Sequence, residues 1–274
     1  MSALFRSTLL LAAALPLCAC QKNYTAYALT STGSIIEFDT GSPTSIIATE
    51  TVSGLASGET LVQIAYRPED DTLYGITSDN LLCTVDPGTG VATLVSSTAF
   101  SSDTLSSPAI DFDPVLDQLR VITTEYNLRV ASDGTLVESN TKLAFDSDDT
   151  YSGDTPQIAA IAYANPDSGA TSTTLYALDV TTQSLLRVGN AAVSTSSSAD
   201  SGDLHTIGSI GVSFTADAGL SIRSGSDTAY AALQQSGSGA ALYTIDLSDG
   251  AAAEVGLIGG GDQTLISLAL VPGS

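Results

Sequence analysis

The chain has no tryptophan, one histidine, three cysteines and only 8 basic side chains against 30 acidic ones. Each shortage excludes something. A net charge of −22 repels phosphate backbones and removes nucleic acid as a partner. The excess acid is read first as a means of staying soluble. A single histidine, His205 in SGDLHTIG, rules out a zinc site built on several histidines, and no GxSxG elbow accompanies it. His205 therefore reads as a strand or loop residue. The glycine-rich GLIGGGD (256–262) lacks the Lys-Ser/Thr of a phosphate loop and reads as a connection.

Long apolar runs are also scarce. The stretch from Leu9 to Leu17, preceded by Arg6, is too short to span a bilayer and has the proportions of a signal-peptide core. Leu17-Cys18-Ala19-Cys20 resembles the bacterial lipobox, in which cleavage precedes the cysteine that receives lipid. Residues 1–19 are expected to be a signal peptide, 20–23 a lipidated N-terminus and short tether anchored at Cys20, and 24–274 a single domain. Ordinary secretion with cleavage nearby is the alternative. Lipidation would leave Cys83 alone, with no intramolecular disulfide, and 7 basic residues after Arg6 departs. Gln21 at the second mature position resembles outer-membrane sorting, so the expected location is the outer membrane or the periplasmic face of the envelope. The membrane, through the lipid, and an envelope protein are the expected partners.

What remains is rich in Ser, Thr, Gly and Ala, with short alternating runs broken by turn residues, the pattern of a many-stranded β fold. A repeat recurs at roughly 50 residues, the spacing of propeller blades. One strand type reads TAYALTS (25–31), TLYGITS (72–78), QLRVITT (118–124), TLYALDV (174–180) and TAYAALQ (228–234). A second precedes four of these: QIAYRP (63–68), AIDFDP (109–114), AIAYAN (160–165) and GVSFTA (211–216). The first repeat lacks that strand, and TLISLALVP (264–272) supplies it from the other end of the chain. The expected fold is all-β, a five-bladed β-propeller closed by pairing of the C-terminal strand with the N-terminal blade. Its blades are 265–271 with 25–52, then 61–97, 109–140, 158–210 and 211–259. Closure removes the exposed sheet edges that invite aggregation.

The order and spacing of GLASGETLVQIAYRPEDDTLYGITSDNLLCTVDPGTGVATLV (54–95), IDFDPVLDQLRV (110–121), YANPDSGATSTTLYALD (163–179) and LYTIDLSDGAAAEVGLIGG (242–260) resemble the bacterial DUF4394 family. The resemblance implies propeller-like repeats over nearly the whole mature chain. It confers no activity, and fold alone supplies none.

Repetition separates structure from chemistry. Asp39, Asp86, Asp179 and Asp246 recur near strand ends and read as turn residues. Tyr27, Tyr74, Tyr176 and Tyr230 recur at one strand position and read as packing between blades. Arg120 takes that position in the third blade. Asp111 stands where Ala65, Ala162, Ser213 and Ser267 are aligned, and Asp113 where Ala164, Thr215, Ala269 and Arg67 are aligned. Buried charges need partners. The expectation is therefore a channel-side cluster of Arg67, Asp111, Asp113 and Arg120, with the arginines paired to the aspartates and holding them ionised. No raised-pKa general acid is apparent.

The metal candidates are Asp146, Asp148, Asp149 and Asp154 in DSDDTYSGD (146–154), hard-oxygen ligands suited to calcium, although a solvated loop is the favoured reading. The Ser/Ala/Asp tract 191–203 reads as a flexible excursion within the fourth blade. The sequence thus favours a lipid-anchored, non-enzymatic binding or scaffolding platform. The alternative is a lactonase-like or carbohydrate-active enzyme with a metal in the central channel, dependent on Asp111 and Asp113.

Overall fold

A computed structural model describes residues 23–189, 196–225 and 228–271. The signal peptide and Cys20 lie outside these residues. The strands are β1 (Thr25–Thr30), β2 (Ser34–Asp39) and β3 (Ile46–Thr51), then β4 (Leu61–Arg67), β5 (Thr72–Thr77), β6 (Leu82–Val85) and β7 (Ala92–Leu94). Next come β8 (Ala109–Asp113), β9 (Gln118–Ile122), β10 (Asn127–Ala131), β11 (Leu136–Ser139) and the two-residue β12 (Ala144–Phe145). The fourth blade contributes β13 (Ile158–Tyr163), β14 (Leu175–Asp179), β15 (Ser184–Val188) and β16 (Asp203–Ser209). The last strands are β17 (Ala218–Ile222), β18 (Thr228–Gln234), β19 (Ala240–Asp246), β20 (Ala252–Leu257) and β21 (Leu265–Leu270).

They form five sheets, β21-β1-β2-β3, β4-β5-β6-β7, β8-β9-β10-β11, β13-β14-β15-β16-β12 and β17-β18-β19-β20. The C-terminal β21 lies antiparallel beside β1, with Tyr27 opposite Ala269, so the chain's two ends close one blade. This is the five-bladed propeller, with the closure the repeats predict. The innermost strands β21, β4, β8, β13 and β17 neighbour one another around the ring.

Alternation decides what fills the space between blades. The repeated tyrosine projects onto the next blade's innermost strand. Tyr74 meets Phe112 edge-on at 5.1 Å, and Tyr27 shares one apolar cluster with Tyr66. Tyr176 packs against the cluster that holds Ile222, and Tyr230 belongs to one cluster with Leu270. Such ring contacts add to the free energy of apolar burial. The tyrosines are packing residues between blades.

The structure corrects one alignment. The inner strand of the fifth blade is Ala218–Ile222, and residues 211–216 form its approach. Register then places Ser221 opposite Tyr230, and Ala269 opposite Tyr27. The counterparts of Asp111 are therefore Ala65, Ala162, Ser221 and Ala269, not Ser213 or Ser267. Both GVSFTA and AGLSI carry apolar residues at alternate positions, so pattern alone left the strand one segment early.

The tract after β15 is also more ordered than its composition suggests. Ser196–Ser201 is a 3-10 turn, and Ala199 in it is buried. β12 runs parallel to the start of β16 and extends the fourth sheet outward.

Candidate functional site

The hairpin β8–β9 places Asp111 opposite Arg120 and Asp113 opposite Gln118. Asp111 sits on the innermost strand, whose inner edge pairs with no further strand of its sheet and leaves N–H groups for other acceptors. Its Oδ2 accepts the backbone N–H of Tyr163, on the inner strand of the next blade, at 2.6 Å. Ser221, at the same position in the fifth blade, accepts the Leu270 N–H at 3.1 Å through its Oγ. Ser267 does the equivalent two residues before Ala269 in the first blade, accepting from Ile64 N at 3.2 Å and donating to Ile64 O at 3.0 Å. Asp111 is thus one of several side chains that stitch the inner ring.

Burial pushes the Asp111 carboxyl up to about 7; the Tyr163 and Phe112 N–H groups pull it back, and Asp113 adds to the rise. This corrects the expectation that no carboxyl here is raised. The expected arginine partner is missing, so nothing holds the carboxyl strongly ionised.

Asp113 is 1% exposed and caps the turn that follows it, its Oδ1 accepting from Val115 N at 2.9 Å and Leu116 N at 3.0 Å. Its Oδ2 is buried and accepts no hydrogen bond among the described residues. Burial raises its pKa, opposed by those two N–H groups and by the Arg120 charge.

Arg120 is 1% exposed and is the largest fully buried side chain among the described residues. Its Nε donates to the Tyr163 hydroxyl at 3.1 Å, and its Nη1 to Asn127 Oδ1 at 3.0 Å and Asn140 Oδ1 at 2.9 Å. Nη2 donates to Asp200 Oδ1 at 2.8 Å. A tyrosine here would pack against Tyr163 but leave its buried hydroxyl without this donor; a guanidinium supplies it and reaches onward. Asn127 adds bonds to Thr141 O and Ala199 O, both at 3.0 Å. The charge partner of Arg120 is therefore Asp200, from the tract after β15, and not Asp111 or Asp113.

Arg67 departs from expectation in the same way. It forms a two-pronged pair with Asp117 in the turn between β8 and β9, and a second pair with Asp70. Its ordinary pKa is raised, first by the hydrogen bond to Asp117. Arg67 and Arg120 thus both join neighbouring blades, but at separate points. A four-membered channel cluster does not form.

The loop aspartates are dispersed. Asp149 accepts from Thr206 N at 2.6 Å and Thr206 Oγ1 at 3.0 Å, and from Tyr151 N at 2.9 Å. Burial pushes Asp149 up, but those donors outweigh it and the net shift is downward. Asp146 Oδ1 accepts from Asp148 N at 3.0 Å, and Asp148 and Asp154 are exposed. Among the described residues no three His, Cys, Asp or Glu side chains gather closely enough to hold a metal. Cys83 is buried, donates to Gly75 O at 3.3 Å, and is pushed up to about 12 by burial.

A family model described as a domain of unknown function, DUF4394, matches residues 34–269, which is most of the chain and every blade. The chain belongs to the DUF4394 family. Among solved structures, this DUF4394 chain is similar to a Bacteroides thetaiotaomicron protein of unknown function, at 12% identity and TM-score 0.51, over 76% of this chain and 53% of that one. A Bacteroides caccae protein of unknown function is 9% identical with TM-score 0.47, covering 91% and 99% of the two chains. TolB from Acinetobacter baumannii is 10% identical with TM-score 0.48, over 92% and 67%. At these identities the likeness concerns the fold alone. No curated protein matches.

Two further features of the DUF4394 propeller lie at the end of the ring where the inner strands begin. A cavity of about 200 Å³ opens between Val62, Gln63, Pro108, Ala159, Asp217 and Ile266. A larger one, about 440 Å³, opens where the fifth blade meets the first and is bounded by Thr215, Asp217, Gln234, Gly261 and Asp262. Asp217 borders both. The sequence pattern conceals this second site because 211–216 reads as strand. A signal was available: the last position of the aligned strand carries Ser31, Ser78, Thr124 and Val180 in the other blades, and Gln234 only in the fifth.

Proposed function

We propose that this protein is a lipid-anchored component of the cell envelope whose propeller is a rigid, non-enzymatic binding platform. The observation that carries this reading is the employment of its charged side chains. Asp111 bonds the next blade's backbone, and Arg120 and Arg67 are committed to Asp200 and to Asp117 with Asp70. These three charged groups are bound into the scaffold rather than left free.

The placement of the chain's start supports the same reading. Thr25 opens β1 at the end of the ring where β8 finishes in Asp113, since Val271 N bonds Thr25 O and Asp113 lies opposite Gln118. The cavities lie at the opposite end. A lipid on Cys20, separated from Tyr24 by three residues spanning at most about 10 Å, would hold the first end at the membrane and turn the cavities away from it.

The enzymatic reading is favoured by the burial that pushes the Asp111 carboxyl up to about 7. It requires that Asp111→Asn abolish turnover.

The platform is tested by crosslinking in intact cells followed by membrane fractionation, comparing the native chain with Cys20→Ser. The native chain should partition with membranes and bring down a discrete envelope protein, while Cys20→Ser is released. Equal partitioning of both, with no co-purifying protein, would overturn the reading.

A further inference from the structure

We propose that the cavity at the ring-closing seam binds an ammonium or guanidinium group presented by a basic segment of a partner protein. The inference rests on the platform reading and assigns the chemistry of its partner.

Three pieces of chain make the cavity. The end of β18 and the turn 235–239 form one wall, the approach to β17 with Thr215 and Asp217 a second, and the link into β21 with Gly261, Asp262 and Thr264 a third. The two turns touch closely: a Cβ on Gly239 would lie 1.8 Å from Gly261 O, so only glycine allows this approach.

Two residues that border the cavity carry buried oxygens without partners among the described residues. Gln234 is 5% exposed, yet its Oε1 is buried and accepts no hydrogen bond among the described residues. Thr215 Oγ1 is in the same condition. A buried amide oxygen lacking a donor is costly, and native folds leave few of them. Asp217 and Asp262 add two exposed carboxylates at the rim.

Two rim carboxylates, with partnerless oxygens buried beside the cavity, call for a ligand rich in donors. An anion is repelled by both carboxylates and by a chain of net charge −22. A sugar would find no aromatic ring in the lining on which to rest. Calcium needs about six to eight oxygens in close array, and no third acidic side chain joins these two among the described residues. A lysine or arginine side chain brings three or five N–H donors together with the complementary charge.

The test is titration calorimetry on the full chain in detergent, at about 0.15 M ionic strength so that diffuse attraction is screened. The probes are a hexa-arginine peptide, spermidine, calcium and maltohexaose. The peptide should bind, and Asp217→Asn with Asp262→Asn should weaken it by about ten-fold or more. Gln234→Leu should also weaken it, with unchanged melting temperature as the check on folding. Asp249→Asn with Glu254→Gln removes the same charge elsewhere and should change affinity by less than about two-fold. Equal losses in the two double variants, tighter binding of spermidine, calcium or maltohexaose, or no peptide binding would overturn the proposal. Crosslinking in cells can still succeed if this titration fails, so the two readings fall separately.

Discussion

Asp111 Oδ2 accepts the backbone N–H of Tyr163 at 2.6 Å across the junction of the third and fourth blades. Ser221 and Leu270 repeat the relationship between the fifth blade and the first. An acidic residue is thus performing a task that serine performs elsewhere in the same ring. Its charge is incidental to that bond, and removing the acceptor should be costly where removing the charge is not.

Asp111→Ala should destabilise the fold by about 1–3 kcal/mol, because the Tyr163 N–H loses its acceptor. Asp111→Asn keeps an acceptor and should match or exceed the native melting temperature at pH 8. The sign follows from linkage. The folded carboxyl is pushed up to about 7, so the folded chain holds a proton that the unfolded chain releases. That stability is fully present below the ordinary carboxylate range and is lost as pH rises through about 7. Thermal melts between pH 4 and pH 8 should show a decline that Asp111→Asn flattens; parallel curves would refute this.

Arg120→Ala should cost about 3–5 kcal/mol, since it strands Asp200 and the buried Tyr163 hydroxyl. Arg120→Lys should recover little, because one ammonium cannot span four acceptors on diverging directions. Arg67→Ala should cost only about 1 kcal/mol, its Asp117 and Asp70 partners being more than a third exposed. Denaturant unfolding of both variants checks the inequality.

Asp149→Ala removes the acceptor for Thr206 N and Thr206 Oγ1 and should lower stability by about 1–2 kcal/mol. The folded Asp149 carboxyl sits below its ordinary value, so this contribution is present above the usual carboxylate range and fades in acid. The gap between the native chain and the variant should therefore close as pH falls below about 4. A gap that appeared only with added calcium would restore the loop as a metal site.

Gly239→Ala should force the turn 235–239 away from Gly261, lowering the melting temperature and disrupting the seam cavity together. An unchanged melting temperature and unchanged peptide affinity would show that this approach is not required.

The ring was legible because each blade repeats the same strand pattern, and because TLISLALVP had no neighbour in sequence to pair with. The one displaced strand, 218–222, followed an equally apolar segment at the same spacing. Copy number singled out Arg120 correctly as the exception among tyrosines. It did not reveal the partner, because Asp200 lies 80 positions away in a tract whose composition looks like solvent-exposed chain. Arg67 is likewise legible as a charge needing a partner, while Asp117 and Asp70 read as ordinary turn residues and give no sign of the pairing. Gln234 and Thr215 carried no charge to attract notice. Their significance comes only from the packing that leaves their oxygens without donors.

The most direct measurement places a photo-crosslinking side chain at Ser236, beside the seam cavity, and in a separate variant at Asp70, at the end of the ring that the lipid would hold. In intact cells Ser236 should capture one discrete envelope protein, and Asp217→Asn with Asp262→Asn should abolish that adduct while Asp70 captures no such protein. No adduct from Ser236, together with a chemical turnover that disappears in Asp111→Asn, would contradict the binding-platform account.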